Sequence, residues 1–266
     1  MDSRRRSQIL ILPYVAWFLF LMVAPFALIL ATSFFHRGEF GSIEPAFELT
    51  AYKQLLDPIY TEIMVRTLWL AAGNTFLTLV LSYPFAFYLS RIPRKKAVLM
   101  LILVMIPFWT NFLIRVLAFM DVLRLRTFGI ELTYTTAGML LAMAYNYLPF
   151  AVLPLYSAME KVDNSVLEAA YDLGASKIKI LFRVLLPLTK QGIISAGILV
   201  FIPSLGEFLI PEIVGGGKRF LLGTFLHHQF LVARNWPVGS AAISLLILLA
   251  IILLLVARRW IKAEAR

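Results

Sequence analysis

From Ile9 to Phe35 the chain carries no charged residue. A helix of about 20 apolar residues crosses the hydrocarbon core of a bilayer. In lipid every backbone N–H and C=O must be satisfied within the segment, so a spanning run of this kind is read as a helix. A secretory leader has an apolar core of about 7–15 residues and a small-residue cleavage site; this run is much longer and is kept as a first span. Five further runs of similar length follow, at about 67–90, 97–120, 135–159, 191–210 and 238–257, beside the first at about 9–35. The expected fold class is an all-α integral membrane protein with six transmembrane helices, forming one membrane domain over residues 1–266. The composition agrees: 61% of residues are hydrophobic and 15% charged, against roughly half and a quarter in soluble domains.

Six spans place both termini on one side, and Lys and Arg decide which. The N-terminus, the turn after the second span, the 160–190 stretch and the C-terminus together hold 16 of the 25 Lys and Arg residues, and the other three loops, with Arg115 inside the third span, account for the remaining nine. The richer side is expected to be cytoplasmic. In a soluble protein a net charge of +10 would point toward nucleic acid. Here the cations cluster at the ends of apolar runs, so the expected surroundings are membrane lipid and not nucleic acid.

No G-x-x-x-x-G-K-[ST] phosphate loop occurs, so ATP is not bound by that route. There is no cysteine, hence no disulfide framework or thiolate metal site. His36, His227 and His228 fall in or beside the expected external loops, with no carboxylates at metal-ligand spacing. The run Gly215-Gly216-Gly217, followed by Lys218, reads as a flexible loop. No catalytic set and no metal site is expected in this chain.

The most informative stretch lies between the fourth and fifth spans, within residues 160–190. Ser165 followed by Glu168 has capping-box spacing. Val166, Leu167, Ala170, Leu173 and Ile178 recur at helical spacing, and Gly174 permits a turn. A helix this short is marginal alone in water. Its Leu and Ile face needs a partner that the flanking spans do not obviously provide, so it reads as a docking helix for another protein.

Glu168-Ala169-Ala170, then Gly174, Phe182 and Leu186-Pro187, resemble the EAA loop of ABC importer permeases. Three other stretches are similar to the spermidine/putrescine permeases of that class. They are Pro107-Phe108-Trp109-Thr110-Asn111 with Leu113-Ile114-Arg115, Leu148-Pro149-Phe150 with Pro154-Leu155-Tyr156, and Gly206-Glu207-Phe208 with Ile210-Pro211-Glu212 and Gly215-Gly216. Asn235-Trp236-Pro237 fits as well. The likeness covers nearly everything after about Thr50. It departs in a short loop between the third and fourth spans and in an ending soon after Trp260.

The resemblance implies a pore-forming subunit of an ATP-driven importer in the bacterial inner membrane, with cytoplasmic termini. Its partners would be a second permease subunit, two cytoplasmic ATPase subunits and a periplasmic substrate-binding protein. ATP and Mg belong to the ATPase, and this chain carries no cofactor. The residues implied for ATPase coupling are Glu168, Ala169, Ala170, Leu173, Gly174, Ile178 and Pro187. The cargo implied is a polyamine.

Within the spans, Glu207 is the main functional candidate, because an intramembrane carboxylate is costly unless it is paired or faces water. Pro203 and Gly206 would open the helix there and turn carbonyls toward a cavity. Carboxylates with aromatic walls suit a polycation, which makes Trp109, Asn111, Tyr145 and Phe208 further pathway candidates. A structural role for Glu207, paired with Arg115 or a neighbouring helix, stays open. Asn111 and Arg115 lie one turn apart on one face, with Arg115 expected to snorkel to the outer interface. Another small organic cargo, or an ion-coupled carrier, also stays open. Carriers often show inverted repeats with broken helices in matching positions, and none is visible here.

Overall fold

A computed structural model describes residues 3–124, 131–217 and 219–263. Arg126 and Lys218 lie outside the described residues. The chain forms two units, one of residues 1–62 and 225–249, the other of residues 63–224 and 250–266. Among the described residues, four helices are long and apolar enough to cross a membrane, and up to six spans result if each of two bent helix pairs counts as one.

In the first unit, α1 (Ser3–Thr32) contains Pro13 and Pro25, and none of its spanning window Pro13–Thr32 is buried within the chain. A two-residue antiparallel ribbon follows, β1 (His36–Arg37) with β2 (Ile43–Glu44), and then a short α2 (Thr50–Gln54). Polar bonds close this unit. Thr32 donates to Ser240 Oγ at 2.8 Å, the Ser33 and Tyr52 hydroxyls meet at 2.8 Å, and Arg37 Nη2 donates to the Ala233 carbonyl at 2.7 Å.

The second unit is built around α6 (Thr136–Met159). Met139, Ala142, Met143, Tyr147, Ala151, Leu155 and Met159 recur three or four residues apart and form its buried face. They pack with Val116 and Met120 of α5 (Phe112–Arg124), Ala196 and Val200 of α10 (Lys190–Leu205), and Ile210 of α11 (Leu209–Ile213). Without a hydrophobic driving force between helices in lipid, small residues and hydrogen bonds carry the packing. Gly192 of α10 illustrates it: a Cβ there would lie 2.5 Å from the Ala158 Cβ and 2.9 Å from the Pro154 carbonyl oxygen. Buried Asn74, on α3 (Pro58–Arg91), donates to Ser204 Oγ at 2.8 Å, and the Tyr83 and Thr189 hydroxyls meet at 3.0 Å.

Several expectations change. The second span is part of a 34-residue helix that begins at Pro58 rather than near Thr67. The third run is not one rod. α4 (Arg94–Met105) runs into a 3₁₀ turn at Ile106–Trp109, and the chain then bends by 101° into α5. Pro107 cannot continue the hydrogen-bond ladder, and Asn111 restarts it, its Oδ1 accepting from the Leu113 and Ile114 N–H groups at 2.9 and 3.4 Å. The fifth run stops at Leu205 and resumes as α11. The three glycines are not a flexible loop but the cap of α11. Gly215 N–H donates to the Ile210 carbonyl at 3.2 Å and Gly217 N–H to that of Pro211 at 3.4 Å, with positive φ at Gly216 and Gly217. The 211–237 stretch also contains helix, α12 (Leu222–His227) continued by a π-turn His228–Val232, so both of its histidines are helical. The last helix is α13 (Trp236–Ala263).

Candidate coupling segment and translocation pathway

The segment between α6 and α10 forms two short helices rather than one. α7 (Asn164–Asp172) is capped by Asp163 and not by Ser165: the Asp163 carboxylate accepts from the Ser165 N–H at 3.0 Å. That bond holds the Asp163 carboxyl below its ordinary range, helped by the nearby Arg91 charge. Glu168 is exposed and forms no capping box. The expected Ser165–Glu168 capping box is therefore not formed: Asp163, Asn164 and Ser165 are all good cap formers, and spacing alone favours the wrong one. α7 ends at Leu173, and Gly174 follows with a φ of +76°, a left-handed position that glycine occupies without strain. Ser176 then caps α8 (Lys177–Ile180), its Oγ accepting from the Lys179 N–H at 3.4 Å. A π-turn at Leu181–Leu185 and α9 (Leu186–Leu188) carry the chain to α10 after a 74° bend.

This double helix has two apolar faces. Leu167, Ile180 and Leu185 are buried with Val162, against Phe87, Ala170, Ala175, Leu181 and Val184. Part of the face expected to lack a partner therefore docks on its own chain. The rest does not: Leu173 is 88% exposed, Ile178 69% and Phe182 63%, with Val166 and Tyr171 also exposed. Glu168, Ala169, Gly174 and Pro187 are exposed as well, and Ala170 is half-buried. The two-face arrangement presents an apolar ridge held from behind by a small core.

Glu207 sits in the break between α10 and α11. Its Oε2 accepts from the Tyr147 hydroxyl at 2.8 Å, and its Oε1 accepts from the Leu209 and Ile210 N–H groups at 3.1 and 3.3 Å. It is buried, and no ion pair to it exists among the described residues. The freed carbonyls of Gly206 and Glu207 are covered by α12 rather than turned to a cavity: a Cβ on Gly223 would lie 2.6 and 2.5 Å from those oxygens.

Arg115 does not snorkel. It is buried, donating from Nε to Asn146 Oδ1 at 2.7 Å and from Nη1 to the Pro107 carbonyl at 2.9 Å, with the Phe108 and Phe112 rings 5.0 and 5.5 Å away. It borders a cavity of about 170 Å³ shared with Phe108, Tyr145 and Asn146. Of the pathway candidates, Trp109 is 83% exposed, while Tyr145 is stacked on Phe119 at 4.9 Å and keeps one side open. Phe208 is half-buried, and Asn111 is an exposed helix cap. Sequence reasoning missed Tyr147, Asn146 and Arg91, each an ordinary-looking residue whose partner lies far away in the chain.

Residues 74–265 match the family described as "Binding-protein-dependent transport system inner membrane component". The chain belongs to that family. It is 38% identical over 259 residues to the spermidine/putrescine transport system permease protein PotB of Escherichia coli (strain K12), covering 92% of this chain and 94% of the relative. A solved bacterial ABC transporter involved in import of the acidic polysaccharide alginate shares the fold. Its TM-score is 0.72 at 21% identity, and the match covers 98% of each chain. An alginate transporter in complex with a periplasmic protein matches with a TM-score of 0.67 at 14% identity, covering 95% of this chain and 93% of the other. The chain is thus a multi-pass inner-membrane transport component, and its relatives are permeases rather than enzymes.

Proposed function

We propose that the chain is one of two pore-forming permease subunits of an ATP-driven importer whose cargo is a polyamine of the spermidine/putrescine type. The observation that carries the cargo is the identity of more than a third, over nearly the whole chain, to permeases named for those compounds. The exposed Leu173–Ile178–Phe182 ridge supports an ATPase as the neighbour, because an apolar surface rimmed by Glu168, Lys177 and Lys179 suits a protein groove. ATP and Mg are then held by two separate ATPase subunits, and a periplasmic protein delivers the cargo. Reconstituted complex should take up labelled putrescine or spermidine only with ATP and the binding protein present. Uptake without ATP, or of unrelated anions alone, overturns the assignment.

The charge asymmetry assigns both termini, the Arg91–Lys96 turn and the coupling segment to the cytoplasm. Tags at residue 2, at 94 and at the C-terminus are expected to be reached only from inside, and tags near 45 only from outside. A probe at 45 that is accessible from the cytoplasm reverses the topology.

Glu207, Trp109, Asn111, Tyr145 and Phe208 are the proposed pathway residues. Glu207 is a carboxylate satisfied by three donors and without a counter-ion among the described residues, so it would supply a negative potential to a passing ammonium group. Unit charges about 4 Å apart attract by roughly 4 kcal/mol at an effective dielectric near 20. Most of that is cancelled by desolvation, so the Glu207→Gln variant is expected to lower uptake per assembled complex by about tenfold. The capping bonds favour a second, structural reading. It is distinguished by Glu207→Asp, which keeps the charge on a stem too short to serve Tyr147 and both N–H groups together. Asp better than Gln supports charge; Gln better than Asp supports capping.

A further inference from the structure

Arg91 ends α3. A cation at the end of an apolar helix ordinarily extends its head to water or headgroups. Here the side chain turns across to the start of α7. Its Nη1 donates to the Val162 carbonyl at 2.9 Å and also makes a short hydrogen bond to Asn164 Oδ1. The Phe87 ring, one turn back on α3, lies 5.3 Å from the guanidinium carbon. Both acceptors flank Asp163, the cap of α7. Nε and Nη2 are buried with no hydrogen-bond partner among the described residues.

Leaving two donors of a charged group buried and unused is costly, so this conformation is not one that a solvent-seeking side chain would settle into. The same end of α3 contributes Phe87 to the small core under Leu167 and Ile180. α3 therefore meets the coupling segment through an apolar contact and a directional polar one, four residues apart. Apolar contacts permit sliding. Charged hydrogen bonds to a backbone carbonyl and to a side chain on the first turn of α7 set register.

We propose that Arg91 is a positioning residue that locks the first turn of α7 to the end of α3, so that displacement of the coupling segment is transmitted to a membrane-spanning helix. This rests on the reading of α7 and α8 as the ATPase-docking segment. α3 is a continuous 34-residue helix, long enough to carry a displacement at one end across the bilayer. Without the lock, an ATPase would move α7 against the Phe87 contact while α3 lagged behind.

The test uses the assembled importer in liposomes, comparing uptake per ATP hydrolysed with the distance between α3 and α7. The natural chain has no cysteine, so paired labels at Tyr88→Cys and Tyr171→Cys, both exposed positions, report that distance by electron paramagnetic resonance. Arg91→Met keeps the apolar stem and loses both bonds. It is expected to cut uptake per ATP by about tenfold and to broaden the distance distribution. Arg91→Lys retains a cationic donor that can reach the Val162 carbonyl and is expected to restore most of both. Asn164→Ala removes one acceptor; it should fall between wild type and Arg91→Met, and add nothing when combined with Arg91→Met. Wild-type uptake per ATP with an unchanged distance distribution in Arg91→Met overturns the proposal. So does an Arg91→Lys variant as poor as Arg91→Met. The docking reading fails separately: if the ATPase stays bound when Leu173 and Ile178 are charged, α7 and α8 are not its site, whatever Arg91 does.

Discussion

Replacing Gly223 by alanine is expected to remove most of the folded protein from the membrane, and uptake with it. The first methyl group at this position meets backbone and not a yielding side chain. It would lie 2.5 Å from the Glu207 carbonyl oxygen, 2.6 Å from that of Gly206 and 2.7 Å from the Glu207 carbonyl carbon. α12 would have to withdraw from the break after α10, because none of those atoms can rotate away. Overpacking of this kind costs about 1–3 kcal/mol. Withdrawal also strains the adjacent bond in which the Leu222 N–H donates to Thr67 Oγ1 at 2.9 Å in a buried setting, and a buried donor left unmatched adds about 1–3 kcal/mol. Against a total stability on the order of 5–15 kcal/mol, the sum is large. Gly197→Ala is the matched control, since its Cβ would meet only Thr75 Cγ2 at an ordinary 3.9 Å. Thermal unfolding of the detergent-solubilised protein should show a clear drop for Gly223→Ala and little change for Gly197→Ala. Equal melting of the two variants would mean that α12 does not seat on these carbonyls.

Charging the exposed ridge of the coupling segment should have the opposite profile, an intact permease that no longer holds its ATPase. Leu173 and Ile178 are 88% and 69% exposed, so aspartate at both positions disturbs little within the chain. Each is worth about 1.5–3 kcal/mol when buried in a partner groove. Losing both, and desolvating two carboxylates in their place, is expected to weaken ATPase binding by more than about a thousandfold. Co-purification of the ATPase should fail, and uptake with it, while protein amount and melting stay near wild type. Leu167→Asp provides the contrast, because Leu167 belongs to the buried cluster with Val162, Ile180 and Leu185; it should melt the segment itself. Normal recovery of the ATPase with the double variant would place the docking surface elsewhere.

The helical class and the apolar runs were legible in the chain because they rest on local quantities. A run such as Ile9–Phe35 needs no partner to be read as a helix in lipid, since its backbone can satisfy itself. The cytoplasmic side proposed for the basic turn at Arg91–Lys96 rests on charge alone. The acid, small pair and glycine of Glu168 to Gly174 fall within one seven-residue stretch, and the glycine's turn follows from its missing Cβ, observed as a φ of +76°.

What tertiary structure decided were the choices between locally equivalent alternatives. Asp163 rather than Ser165 caps α7, although both can do so in isolation. Leu167 faces inward while Leu173 stays outside, because Val162 and Ile180 are brought up behind only one of them. Arg115 turns in toward Asn146 and the Pro107 carbonyl instead of out to the interface, because the bend at Pro107 and Asn111 brings those acceptors within reach. Glu207 accepts hydrogen bonds from Tyr147 and from the turn it caps, and Arg91 finds Val162 and Asn164 some seventy positions away. Hydrophobic periodicity reports one helix at a time, whereas the partner of a polar group is set by which helices meet, and that is a property of the packed bundle.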